Sequence, residues 1–364
     1  MDARERFLRA VSHKEPDRIP VDYWATKEIT NQLMTRYGLS SYEELLVHLD
    51  IDFRYIDGPK YIGPAFVTRV DGSVEDHWGV PRVKVAVGEG GAGGEYSEVL
   101  DFPLEKAESL DEIRQYDKWP DIDAFDFDCV REQVREARAT GKVVVFMGDR
   151  MNRCAQLKPA MYLRGVEQIM LDLILNPDIA EYLFKRVAEF YLEYSRRTFE
   201  VAGDGIDLMF LGDDFGTQNG MFMSADMWRR FLMPGFKSFI ECAKNYGYKV
   251  AHHSCGSVKP LIPDFIDCGL DILNPIQPDV YDMDHADLKN RYGRDISFHG
   301  SISIQSNLPF GTAEDVRNEV RDRFATLGPG GGFISCTAHN IQADTPLENV
   351  EALFHAYKEF GSYS

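Results

Sequence analysis

The chain of 364 residues is 44% hydrophobic and 27% charged, and 59 acidic against 40 basic side chains leave a formal net charge of -19. That length holds one large α/β domain or two ordinary ones, with enough apolar residues for a sizeable core. The acid excess speaks against nucleic acid and anionic membrane surfaces as partners, because both select basic proteins, and no apolar run approaches the roughly 20 residues that a membrane span requires.

Residues 2–12 read as a short amphipathic helix with Phe7, Leu8 and Val11 on one face. Pro16 and Pro20 bracket an extended exit, and a first strand is expected over 19–24, followed by helices near 26–36 and 41–49 and a second strand over 51–56. Residues 60–102 break this rhythm: short β-like pieces at 66–70, 82–87 and 96–99 surround a Gly-rich loop from Gly88 to Gly94. No Lys-Ser or Lys-Thr follows the glycines and no helix begins there, so the loop reads as a hairpin tip and not as a phosphate cradle. A Pro-Asp linker (Trp119-Pro-Asp-Ile-Asp) leads to a charged helix over 128–139.

From there strands and helices alternate. Strands are expected over 142–147, 207–211, 249–253, 271–274, 295–299 and 332–336. The helices between and after them fall at 165–202, 225–246 (with Ser224 as its N-cap), 259–268, 284–292, 313–327 and 346–360. Alternation implies parallel pairing, and eight strands imply closure into a (β/α)8 TIM barrel of one domain, 1–364, with N-terminal helices and a β-hairpin insertion at about 60–102. An open doubly wound sheet would want a Gly-x-Gly-x-x-Gly turn after its first strand, and the chain has none there. The six cysteines, at 129, 154, 242, 255, 268 and 336, show no paired framework, and the charged N-terminus has no signal-peptide core, so a cytoplasmic location is expected. Cys129, Cys154, Cys242 and Cys268 fall on predicted helices or their ends and read as structural.

Active sites of such barrels lie at the C-terminal strand ends. There the chain places Tyr23-Trp24, Asp213-Asp214 with Gln218, His253-Ser254-Cys255, Asn274 with Gln277, His299, and Cys336-Thr337-Ala338-His339-Asn340. His253 and Cys255, two residues apart on an extended segment, share a face and suit zinc; His252 faces the helix layer. The last strand end offers the third ligand, Cys336 or His339. Asp213, Asp214 and His299 are candidates for proton handling or for supporting the ligands. Tyr23, Trp24, Gln218, Asn274, Gln277 and Asn340 are candidates for contacting substrate. The Trp78-Gly-Val-Pro and Tyr162-Leu-Arg-Gly165 segments offer aromatic and basic groups either to the mouth or to packing.

Several segments together resemble the uroporphyrinogen decarboxylase superfamily. They are Arg4-Glu-Arg-Phe-Leu-Arg-Ala with Pro16-Asp-Arg-Ile-Pro-Val21, Asp213-Asp-Phe-Gly-Thr-Gln218 with Met227-Trp-Arg-Arg-Phe, His253-Ser-Cys-Gly-Ser-Val with Leu261-Ile-Pro-Asp, and Gly330-Gly-Gly-Phe-Ile with His339-Asn-Ile-Gln-Ala-Asp-Thr-Pro-Leu-Glu-Asn-Val350. The resemblance covers essentially the whole chain and implies the same barrel. Where the decarboxylase carries Arg-Gln-Ala-Gly-Arg-Tyr, this chain has Tyr23-Trp-Ala-Thr-Lys27. It resembles more the corrinoid-dependent methyltransferase branch, typified by methylcobamide:coenzyme M methyltransferases, whose zinc motif is His-x-Cys plus a distant Cys. Aligning the flanks sets His339 at the place of that distant cysteine, with Cys336 three residues earlier.

The resemblance implies Zn2+ at His253, Cys255 and one of those two residues. It implies methyl transfer between a small methyl donor or acceptor, such as a methoxy compound or a thiol, and the cobalt of a corrinoid. The chain lacks Asp-x-His-x-x-Gly, so the corrinoid (cobalamin) is expected on a separate corrinoid protein. Two other readings are a metal-independent decarboxylase of a porphyrinogen-like substrate and a non-catalytic barrel that binds a corrinoid protein or ligand. A homodimer is compatible with an acidic barrel of this kind.

Overall fold

A computed structural model describes residues 1–86, 95–147 and 154–363. The expected hairpin tip from Gly88 to Gly94 lies outside the described residues. Seven parallel strands form one curled sheet in sequence order: Phe53–Ile56, Val143–Phe146, Leu208–Gly212, Lys249–His253, Ile272–Asn274, Ser297–His299 and Phe333–Ile334. The expected first strand takes another form. Val21 bridges Ser335 and Ala25 bridges Ile341, both in parallel. Asp22 N donates to Ser335 O at 2.9 Å, Ser335 N to Pro20 O at 2.8 Å, and Asp52 N to Val21 O at 3.0 Å. The segment thus lies between the last strand and the first, bonded to both, and the fold is TIM-barrel-like. Pro20 has no N–H to give to a ladder, which helps to keep the pairing to isolated bridges.

All four side chains of Val143–Phe146 are buried, as expected for a strand covered on both faces. Their alternation splits the core. Phe53, Val143, Val145, Leu208, Phe210, Ala251, Ile272, Ile334 and Cys336 fill the barrel interior, and Phe7 and Val11 of the helix Ala3–Val11 pack with them. Leu8, expected on the same face, is exposed. Val144, Phe146, Met209, Leu211, Val250, Leu273, Phe298 and Phe333 face the helices. The opening motif has a structural use: Arg6 and Arg18 each donate at 2.7 Å to the fully buried carboxylate of Asp52, ahead of the first ladder strand.

Prolines subdivide two expected helices. The 165–202 stretch is Val166–Leu175 and Pro177–Ala202, parted at Asn176 (φ −135°, ψ 60°), because a residue before proline is pushed out of the helical region. The 225–246 stretch is Ala225–Phe231 and Met233–Lys244, parted at Leu232, two residues ahead of Pro234 in the first turn of the second helix; Ser224 caps the first, accepting from Met227 N at 3.2 Å. The insertion carries antiparallel strands Val74–Glu75, Pro81–Ala86 and Glu95–Val99, while the 66–70 piece contributes only a bridge from Thr68 to Val74. Among the described residues, no helix is long and apolar enough to cross a membrane.

Candidate metal centre

His253 closes its strand in register with Gly212 on one side and Asn274 on the other. Alternation turns Ala251 and His253 inward and His252 outward; His252 stacks on Phe215 with ring centroids 5.0 Å apart. The Asn274 Oδ1 lies 2.6 Å from His253 Nδ1. An amide oxygen only accepts, so with the amide this way round, as its contact with the His299 carbonyl requires, Nδ1 carries the proton and the neutral ring keeps its lone pair on Nε2. That Nε2 is 3.3 Å from Cys255 Sγ. The chain turns sharply here: Ser254 N donates to Asn274 O at 2.7 Å, and Gly256 (φ +83°) passes so close to Gly216 and Thr217 that a Cβ would lie 2.5 Å from backbone. Only glycine fits such an approach in that conformation.

His339 arrives from the loop after the last strand, its ring 5.7 Å from that of His253. One ligand atom each from His253, Cys255 and His339 lie within 4.8 Å of one another. Tetrahedral zinc with bonds of 2.0–2.3 Å sets donor atoms about 3.3–3.7 Å apart, so the residues present fit a zinc ion with small adjustment. Cys336 is not in this group. It points into the barrel interior, 1% exposed, where it joins Asp22 and His299 in a second, deeper group. Burial and the nearby Asp22 push its thiol well above the usual range.

Below the upper group, His299 Nε2 meets Asp22 Oδ2 at 3.0 Å, Tyr55 donates to the same oxygen at 2.5 Å, and Trp24 Nε1 donates to the Tyr55 hydroxyl at 2.8 Å. The Trp24 ring lies 5.7 Å from His253 and 5.4 Å from His299, centroid to centroid. Asp22 and Tyr55 were not singled out from the sequence. Their signal is parity: Asp22 shares a face with Trp24, and Tyr55 with Phe53.

The two aspartates after Gly212 have different surroundings. Asp214 Oδ1 accepts from Cys255 N at 2.8 Å and lies 3.8 Å from His253 Nε2, while Oδ2 pairs with Lys158 at 2.5 Å. Burial alone would raise its carboxyl, but a protonated His253 ring and the Lys158 ammonium draw it well below the usual range; with His253 neutral, Lys158 and the Cys255 amide are what favour the carboxylate. Asp213 faces away. Its oxygens accept from the amides of Gln156 (2.8 Å), Leu157 (2.6 Å) and Lys158 (2.8 Å), capping the helix Leu157–Arg164. Burial pushes this carboxyl up to about 6, against the pull of the amides. Both oxygens of Asp213, named from the sequence for proton handling or ligand support, are engaged with backbone amides and anchor the start of this helix. Asp213→Ala should leave three buried amides without acceptors and lower stability by about 3 kcal/mol, read as a drop in the urea midpoint; an unchanged midpoint would count against this role.

The cleft beside the centre is a cavity of about 210 Å³ lined by Gln218, Cys255, Gln277, Asp279, Gln305 and His339, among others. Gln218 Nε2 donates to Gln305 Oε1 at 3.1 Å, and Gln277 Oε1 accepts from Gly256 N at 3.1 Å. The other expected substrate contacts lie elsewhere. Tyr23 faces outward, its hydroxyl 3.0 Å from Thr30 Oγ1 and its ring against Tyr42 and Phe354. Trp24 and Asn274 are buried beneath the cleft. Asn340 is outside the residues that line it, and its backbone carbonyl accepts from Gln342. Trp78 packs on Phe190, and Arg164 is buried against Asp172 at 2.7 Å, so both belong to packing.

A family model described as Uroporphyrinogen decarboxylase (URO-D) matches residues 96–360. Over 200 residues the chain is 26% identical to a methylated-thiol–coenzyme M methyltransferase of Methanosarcina mazei, covering 55% of this chain and 50% of that protein. Over 196 residues it is 25% identical to a methylcobamide:CoM methyltransferase of Methanosarcina barkeri, covering 54% and 53%. The chain thus spans about half the length of the curated relatives it matches. The solved structure of a methyltransferase from Methanosarcina mazei shares its fold over 99% of both chains, with a TM-score of 0.67 and 20% identity.

Proposed function

The chain belongs to the uroporphyrinogen decarboxylase (URO-D) family, and from that premise we propose that it is a zinc-dependent methyltransferase, moving a methyl group between a small substrate and the cobalt of a separate corrinoid protein. The observation that carries this reading is the convergence of His253, Cys255 and His339 beside a cleft at the C-terminal strand ends. The methyltransferases named above support the reaction type. Zinc held by these three residues would act as a Lewis acid, lowering the pKa of a thiol or polarising the heteroatom that bears the methyl group.

The chain's own groups do the rest. Asn274 orients the His253 ring, and the backbone turn at Gly256 delivers the Cys255 sulfur to the cleft. Asp214, held ionised between Lys158 and the Cys255 amide, adds negative charge beside His253 and steadies a cationic centre. Gln218, Gln277 and Gln305 present amides that can orient a polar substrate without charge. In segments that follow barrel strands, Phe222, Tyr281 and Phe310, the last ending the short helix Asn307–Phe310, are 42%, 70% and 79% exposed, and Tyr281 N donates to the carbonyl of cleft-lining Gln218 at 3.0 Å. Exposed large apolar side chains of this kind suit a docking protein.

The test supplies the purified protein either with methylcobalamin and a panel of small thiols as methyl acceptors, or with chemically reduced cob(I)alamin and a panel of methoxy compounds as methyl donors. Zinc-dependent loss of the cobalt–carbon absorbance with a thiol, or its gain with a methoxy compound as the alcohol is released, abolished by chelation and restored by Zn2+, is the expected result. Full activity after chelation, or release of carbon dioxide from a porphyrinogen by zinc-free protein, would overturn the proposal.

A further inference from the structure

His253, Asn274 and His299 end three adjacent strands, and the Asn274 amide sits between the two imidazoles. Its Oδ1 is 2.6 Å from His253 Nδ1, and its Nδ2 is 2.6 Å from His299 Nδ1. Taken alone, those two contacts would allow the amide either way round. A third contact decides. Asn274 Nδ2 also donates to the backbone carbonyl of His299 at 3.2 Å. A carbonyl oxygen only accepts, and a flipped amide would set two oxygens face to face. The backbone is shaped to admit this group: a Cβ on Gly300 (φ +73°) would sit 3.0 Å from Asn274 Nδ2 and 2.8 Å from Thr337 O.

The consequence runs in both directions from the amide. Toward the mouth, the neutral His253 ring must carry its proton on Nδ1, so Nε2 keeps its lone pair, directed at Cys255 Sγ 3.3 Å away and toward His339. Toward the interior, His299 must accept on Nδ1, so its proton is on Nε2 and is donated to Asp22 Oδ2 at 3.0 Å. Asp22 also accepts from Tyr55 on that oxygen. The deeper trio of Asp22, His299 and Cys336 also brings its donor atoms within 4.8 Å of one another, yet its imidazole offers a proton where a metal needs a lone pair.

We propose that Asn274 is a positioning residue whose fixed amide opens the His253–Cys255–His339 group to a metal ion and closes the Asp22–His299–Cys336 group to one. The deeper group is then a hydrogen-bonded support and not a second metal site. The metal half of this proposal rests on the zinc reading above; the tautomers are properties of the metal-free chain.

The experiment pairs two measurements on the full chain. Long-range 15N–1H spectra of 15N-histidine-labelled, metal-free protein, recorded above about pH 8 where ordinary imidazoles are neutral, should show Nδ1–H on His253 and Nε2–H on His299. His299→Gln assigns the second signal. Titration with Co2+ should show one bound equivalent in the wild type. Asn274→Leu, which can neither accept nor donate, should bind about 10- to 100-fold more weakly, the usual effect of losing a group that orients a metal-bound histidine. Asn274→Asp keeps the acceptor for His253, so it should retain that binding while His299 gains a proton on Nδ1.

A bare Nδ1 on His253, a second cobalt equivalent in the wild type, or undiminished binding by Asn274→Leu would each overturn the proposal. The two readings separate cleanly. Expected tautomers without any cobalt binding keep the amide lock and sink the zinc reading, whereas cobalt binding with reversed tautomers does the opposite.

Discussion

The Cys255→Ala protein is expected to purify with little zinc and to lose zinc-dependent methyl transfer. Cys255 supplies the only thiolate of the upper group, and its sulfur already lies 3.3 Å from His253 Nε2. If three ligands share the roughly 12 kcal/mol typical of protein zinc sites, removing one costs about 4 kcal/mol, or ~10³-fold in affinity. The fold should survive. Cys255 is only partly buried, and its contact with Asp214 is made by the backbone N–H, which alanine keeps. Metal analysis, circular dichroism and the methylcobalamin assay on one preparation would check all three statements. Full zinc occupancy in a folded Cys255→Ala protein would remove the centre as drawn.

The second large effect is a contrast between two neighbours. His339→Ala should lose zinc about as severely as Cys255→Ala, because its ring nitrogen is the third donor of the upper group. Cys336→Ala should keep zinc and activity. It deletes a buried sulfur from the barrel interior, which costs about 1 kcal/mol of stability for a change of this size. Zinc content and urea midpoint should therefore move in opposite patterns in the two proteins. The reverse pattern, zinc lost with Cys336→Ala and kept with His339→Ala, would transfer the third ligand to Cys336. A neutral imidazole at this position would donate less negative charge to the metal than a thiolate, so the His339 set would leave a harder Lewis acid for the substrate.

Much of the barrel was legible because its signals are local. The run Val143-Val-Val-Phe146 is apolar throughout, as a strand covered on both faces must be, and the strands ending at His253, Asn274 and His299 fall where alternation with helices put them. Period two correctly turned His253 in and His252 out. The same rule, taken one residue at a time, could not decide the 19–24 segment. Tyr23 and Trp24 are adjacent, so they point to opposite faces, and only Trp24 reaches the interior. Helix breaks at Pro177 and Pro234 were visible as prolines, but the runs on either side have continuous helical periodicity, which hid them.

The sequence by itself determined which residue types gather at one end of the barrel: parallel strands joined by helical crossovers carry every C-terminal strand end to the same mouth, and the motifs are read directly. Tertiary structure alone decided how those residues divide into groups. Cys336 and His339 are three positions apart, yet one falls in the interior and the other at the rim, because a turn held by Thr337 Oγ1 donating to His339 O at 2.6 Å intervenes. Asp213 and Asp214 are adjacent, yet one caps a helix and the other faces the centre. The polarity of the His253–Asn274–His299 row depends on a single backbone carbonyl. Such choices rest on distances of a few ångströms between segments far apart in the chain, and residue spacing does not encode them.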